Sequence, residues 1–85
     1  VTLEEAFGQV LRRKREAVNL TQEQLAFEAG LHRTYVILLE RGLKSPTLDV
    51  IFRLSKALDI LPSEVIREVE ALQSISSDSS PLDEN

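Results

Sequence analysis

Two short helices, each closed by a glycine and joined by a tight turn, constrain this chain more than any other feature. The first is marked by NLTQEQL, residues 19–25. Thr21 and Gln24 stand three residues apart, the spacing of a capping box. In that box the threonine hydroxyl accepts from a first-turn N–H and the glutamine side chain reaches back to the threonine N–H. Leu20 and Leu25 bracket the box as a hydrophobic staple. The helix begun at Thr21 ends before Gly30, which has no Cβ to oppose a left-handed turn. The second helix runs from about His32 to Arg41 and stops at Gly42, and Leu31 and Val36 repeat the staple spacing at its entry. A turn of about three residues centred on Gly30 and Leu31 has the length and chemistry of a helix-turn-helix. Small Ala26 lies where the two helices press together, and Leu31 can plug into a core.

Helical spacing continues on both sides. Leu3, Phe7, Val10 and Leu11 form a stripe over residues 3–18, which Lys14 and Ala17 extend poorly. Gly8 inside this helix costs about 1 kcal/mol relative to alanine, which points to close packing there. Asn19 suits a left-handed stop. After the loop LKSPT, Thr47 caps a fourth helix whose apolar side is Leu48, Ile51, Phe52, Leu54, Ala57 and Leu58. Asp59-Ile60-Leu61 breaks it. Pro62 fits the first turn of a fifth helix, where its missing N–H costs nothing, and Val65, Ile66, Val69 and Leu72 form that helix's stripe. From Ser74 the run SISSDSSPLDEN has too little apolar content to order itself. The expected organisation is one all-α domain over residues 1–73 and a disordered acidic, Ser-rich tail over 74–85. No repeat and no strand pattern is evident.

Composition narrows the partners. The 85 residues fit one small domain of marginal intrinsic stability. The chain opens on Val1, not Met, so the sequence leaves room for upstream residues. There is no cysteine, hence no disulfide and no thiolate metal site, which favours a reducing, cytoplasmic setting. No apolar run approaches the roughly 20 residues of a membrane span. Net charge is −4, but it is unevenly spread. Residues 1–60 carry nine Lys/Arg against eight Asp/Glu, and residues 61–85 carry Arg67 against six acids. A near-neutral body with basic clusters does not exclude a phosphate partner, because whole-chain charge says nothing about one face.

The stretch from Phe7 to Ile66 resembles the Cro/CI-type (XRE) helix-turn-helix family, the lambda-repressor-like domains. The matching pieces are Leu20-Thr21-Gln22, Leu25-Ala26, Ala29-Gly30-Leu31, Glu40-Arg41-Gly42 and Ser45-Pro46-Thr47-Leu48, in order and correctly spaced. The resemblance implies a five-helix domain that binds double-stranded operator DNA as a two-fold dimer. It also implies that Gln22 clamps a phosphate, and that Arg15, late in the first helix, pairs with Glu40. Lys14 departs from it, since the family usually has an apolar residue there.

Helix geometry assigns the third helix's faces. At about 100° per residue, Val36 and Leu39 lie about 60° apart and define the inward side, with His32 beside them. Thr34, Ile37, Leu38 and Arg41 point outward, with Arg33 and Tyr35 on the flanks. A recognition helix presents such an arc to the major groove. Arg33 suits guanine O6 and N7, or phosphate alone. Thr34 suits a base edge or a phosphate. Tyr35 suits a phosphate through its hydroxyl, or packing of its ring against the first helix. Ile37 and Leu38 suit thymine methyls, or another protein surface or the chain's own tail. Many family members are polar at these two places. Thr21 serves first as a cap, with a phosphate bond from its backbone N–H as a by-product. Lys44 and Ser45 are phosphate candidates from the loop, with Arg41 behind them. His32 stands at the N-cap, where the family often has serine, and is expected to cap or pack. As the one histidine in a chain without cysteine, it offers no zinc site.

Leu61, Val65, Ile66, Val69 and Leu72 exceed what a terminal helix needs to dock, so an isologous dimer through helix five and the end of helix four is expected, the alternative being internal packing. The leading functional expectation is a sequence-specific DNA-binding transcriptional regulator, a repressor or controller without cofactor. The competing one is a protein-binding, antitoxin-like module that kept the fold. No Ser/His/Asp or Cys/His set and no Gly-rich phosphate loop supports an enzyme.

Overall fold

The computed structural model describes residues 1–76 of the 85. Five helices follow one another, α1 (Leu3–Ala17), α2 (Gln22–Ala29), α3 (Arg33–Glu40), α4 (Leu48–Ala57) and α5 (Pro62–Ser76), with no strand among the described residues. α5 runs three residues past the boundary at 73, and the rest of the acidic tail lies outside the described residues.

Local chemistry sets the ends. Thr21 Oγ1 accepts from Gln24 N (3.0 Å) and Gln24 Oε1 accepts from Thr21 N (2.9 Å), closing the box at the start of α2. Thr2 and Glu5 build the same box at the start of α1, a signal the sequence carries but the periodicity argument passes over. Thr47 Oγ1 accepts from Val50 N and caps α4. Gly30 and Gly42 adopt φ of 69° and 73°, and Asn19 (60°) turns the chain after α1. Asp59 (57°) makes the corresponding turn after α4.

The core draws on every helix. Ala6, Phe7, Val10 and Leu11 from α1 meet Leu25, Ala26 and Ala29 from α2, Val36 and Leu39 from α3, Val50 and Leu54 from α4, Leu58 just after it, and Val65 and Val69 from α5. Leu31 packs on this cluster from the turn. α1 is the central strut, packed on both α3 and α5. Among the described residues no buried side-chain nitrogen or oxygen lacks a partner.

The stripe on α5 divides differently from expectation. Val65 and Val69 are core, and Leu72 packs half-buried against it, because α5 turns this edge toward α1 and α4. Val65 and Val69 belong to the subunit's interior and are corrected as dimer residues. Leu61 and Ile66 remain outside, as do Leu48 (71% exposed) and Phe52 (55%), which were assigned to the apolar side of α4. The free apolar surface therefore joins α5 to the first half of α4, not to its end. Lys14 is also accounted for. Its side chain is 22% exposed, and its ammonium meets Glu68 Oε2 (2.5 Å) and Glu64 Oε2 (3.3 Å) on α5.

Gly8 explains how close α1 and α3 come. A Cβ there would stand 2.5 Å from the carbonyl oxygen of Leu39 and 2.6 Å from that of Glu40. Both are backbone atoms at the end of a helix and cannot swing aside. Gly8→Ala is expected to destabilise the protein by about 1–3 kcal/mol from overpacking, outweighing alanine's better helix propensity. Thermal unfolding checks this as a midpoint lower by about 4–8 °C per kcal/mol.

Candidate nucleic-acid interface

α2 and α3 meet through the turn at Gly30, whose N–H donates to the Phe27 carbonyl while the Leu31 N–H donates to that of Ala26 (2.8 Å). This leaves α3 with one buried side, Val36 and Leu39. Arg33 and Thr34 are exposed at its first turn, and Arg41 is exposed at its C-cap. Ile37 and Leu38 are half-buried but are not among the side chains packed on the core cluster. Tyr35 is half-buried and does pack on it, which favours the ring-packing reading over a free hydroxyl. Lys44 and Ser45 are exposed in the loop after α3. His32 is corrected. It is exposed, and its side chain makes no cap bond. Its backbone carbonyl instead receives the N–H groups of Tyr35 (3.1 Å) and Val36 (3.2 Å), so the first turn closes without the imidazole.

The N-terminus of α2 is held by a carboxylate from α3. Glu40, with its side chain only 3% exposed, accepts Arg15 Nε at Oε2 (2.6 Å) and Arg15 Nη2 at Oε1 (3.0 Å). Its Oε1 also accepts Gln22 Nε2 (3.0 Å). Arg15 Nη1 donates to the Leu20 carbonyl (2.8 Å). The Arg15–Glu40 pair thus ties together the end of α1, the approach to α2, the first residue of α2 and the last of α3. The Glu40 hydrogen bonds raise the Arg15 pKa above the usual arginine value, so the guanidinium stays charged at any pH the fold survives. Its fork geometry suits bidentate pairing with a carboxylate. With its side chain 12% exposed and three of its five N–H groups engaged, Arg15 acts chiefly within the subunit.

The same network changes the reading of Gln22 and Thr21. Thr21's backbone N–H is taken by Gln24, so Thr21 is a cap and brings no N–H to a phosphate. Gln22 keeps one amide N–H beyond its bond to Glu40, held in a fixed direction beside the positive end of the α2 dipole. The Gln22–Glu40 bond spans 18 residues of sequence and had no local signal. The motif thus carries an exposed first turn on α3, a preset amide at the start of α2 and an exposed cation in the following loop. That combination can bind phosphates by charge and helix dipole and present Arg33 and Thr34 to base edges.

Breaking the pair one side at a time leaves a buried charge alone. Arg15→Met and Glu40→Met are each expected to cost about 3 kcal/mol. The double variant should lose less than the sum, with a coupling of about 1–3 kcal/mol. Urea unfolding of the four proteins measures the cycle.

Known proteins resemble this chain in sequence and fold. The helix-turn-helix family model matches residues 11–65. Control protein C.BamHI of Bacillus amyloliquefaciens is 46% identical over 61 residues, covering 71% of this chain and 75% of that protein. Control protein C.SmaI of Serratia marcescens is 42% identical over 57 residues, covering 67% and 68%. The crystal structure of the restriction-modification controller protein C.AhdI from Aeromonas hydrophila superposes with a TM-score of 0.72 at 48% identity, over 73% of this chain and 94% of that one. With its two glycine-closed helices, its shared core and these relatives, the chain belongs to the helix-turn-helix family.

Proposed function

We propose that the protein is a sequence-specific DNA-binding transcriptional regulator of the controller kind, acting in the cytoplasm as a homodimer on a two-fold operator. The observation that carries the reading is the position of α3, with Val36 and Leu39 sealed and Arg33 and Thr34 in solvent at its first turn. The similarity to two proteins named as control proteins and to one named as a restriction-modification controller protein supports it.

In this reading Gln22, the free first-turn N–H groups of α2, Lys44 and Ser45 hold phosphates and set the register. Arg33 reads guanine, Thr34 a base edge or phosphate, and Leu38 with Ile37 meets thymine methyls. Arg41 stands near enough to the loop in sequence to add a further phosphate contact. Tyr35 supports the helix from its buried side. The chemistry is positional throughout: no bond is made or broken, and the protein is not an enzyme.

A single short recognition helix contacts few base pairs, so a second copy is needed for useful affinity. The dimer surface is the groove between α4 and α5, lined by Leu48, Phe52 and Ile66, with Leu61 exposed nearby. Leu48, Phe52 and Ile66 are 71%, 55% and 45% exposed, and the groove's rim carries both Arg67 and Glu70, the mixed charge that an isologous contact can satisfy across its axis.

Selection of duplexes from a random pool is expected to recover a two-fold site with half-site centres about one helical turn apart. On that site Arg33→Ala should cost about 1–3 kcal/mol and relax preference at one position, whereas Gln22→Ala should weaken all duplexes alike. Fluorescence anisotropy across a salt series separates the two effects. Phe52→Glu, at an exposed position, should leave the helical spectrum intact, give a monomer in sedimentation equilibrium and lose most affinity for the two-fold site.

A further inference from the structure

Lys14 interrupts the apolar stripe of α1, and neither the core nor the DNA-facing surface uses it. Its ammonium lies between Glu64 and Glu68, which are four residues apart and so share one edge of α5. Without the lysine these two carboxylates would face each other unrelieved. The Glu68 hydrogen bond raises the Lys14 pKa above the ordinary lysine value, so the clamp is charged throughout the physiological range. At the opposite end of the same antiparallel contact, Gln73 Nε2 donates to the Val1 carbonyl (2.9 Å). The α1·α5 contact is therefore fastened by polar bonds at both ends, with the apolar core between them.

Its place in the architecture gives this fastening a consequence. The extensive helix contacts are α1·α5, α1·α3, α2·α3, α2·α4 and α4·α5, and α3 is not packed extensively on α5. The surface assigned to self-association lies on α4 and α5. It reaches the recognition helix by two routes, α4 through α2 and α5 through α1. The residue after Lys14 is Arg15, which anchors Glu40 at the end of α3. Lys14 thus joins the helix that carries the dimer surface to the helix that carries the recognition helix, within one residue of the Arg15–Glu40 pair.

We propose that Lys14, clamped between Glu64 and Glu68, is a positioning residue that fixes the angle between α5 and the helix-turn-helix and thereby the half-site spacing the dimer accepts. The inference rests on the dimeric DNA-binding reading. Its physical basis is the geometry of the duplex: adding one base pair between half-sites moves them by about 3.4 Å and rotates one about the axis by about 35°. A dimer with a rigid α1·α5 joint rejects that change, and a dimer with a loosened joint follows it.

The test compares affinity for the selected two-fold duplex with affinity for the same half-sites respaced by one base pair either way. The wild-type protein is expected to prefer the native spacing by about tenfold or more, roughly the cost of one lost specific contact. Lys14→Met should bring that preference below about threefold while keeping the dimer in sedimentation and the same half-site consensus. Lys14→Arg should restore it. Glu68→Gln, which leaves the apolar contact untouched, should shift the ratio in the same direction and serves if Lys14→Met folds poorly. An equal loss of affinity on all three duplexes, or an unchanged ratio, would overturn the proposal and leave Lys14 as a stabilising ion pair. A wild-type protein that binds two-fold sites but tolerates every spacing would sink this inference and keep the regulator reading. A wild-type protein that binds no duplex in the pool would sink both.

Discussion

The Glu40 carboxylate is the point on which the helix-turn-helix half of the molecule depends. It is almost fully buried, and a buried carboxylate is tolerable only when charge and hydrogen bonds answer it. Arg15 supplies the charge and two bonds, and Gln22 supplies a third. The three come from α1, α2 and α3, so the same contacts that solvate the carboxylate also register the two helices of the motif. Gly8 lets α1 approach the backbone that carries Glu40, because any side chain there would strike the Leu39 and Glu40 carbonyls. Close approach and ion pair are two halves of one joint.

That joint has a functional reading. An amide that must donate to phosphate is more effective when its direction is set before binding, since less side-chain freedom is then lost. Gln22 is held in this way by a residue whose other partner fixes α3. The elements proposed to face phosphates and bases are therefore positioned by one side chain, and a change at Glu40 reaches both. The acidic residues of α5 complement this division. Glu64 and Glu68 answer Lys14 inside the subunit, on the helix that carries part of the proposed dimer surface rather than on the motif itself.

How far this was legible in the sequence follows from the range of each interaction. The boundaries of α2, α3 and α4 were legible because a cap or a left-handed glycine is decided within three or four residues, as at Thr21, Gly30, Gly42 and Thr47. The inward side of α3 was legible from helical period alone. On α5, the apolar stripe of Val65, Ile66 and Val69 does not say which of them meets the core and which meets solvent, so Val65 and Val69 were counted as surface although they are core. Leu48 and Phe52 were placed on the apolar side of α4, and period alone did not show that they stay exposed. His32 was expected to cap or pack, but the N-cap is satisfied by its backbone and the ring stays outside. The Gln22–Glu40 bond and the Lys14 clamp join residues far apart in the chain. The clamp did leave a trace, a lone cation in an apolar stripe and two acids one helical turn apart.

The most direct measurement of the central claim is a map of backbone amide shifts as the labelled protein is titrated with a two-fold duplex recovered by selection. The account predicts the largest changes at Gln22 and Glu23, at Arg33 through Leu38, and at Lys44 and Ser45, with Val65 and Val69 in the core barely moved. Changes concentrated on α4 and α5, with the first turns of α2 and α3 unaffected, would contradict it.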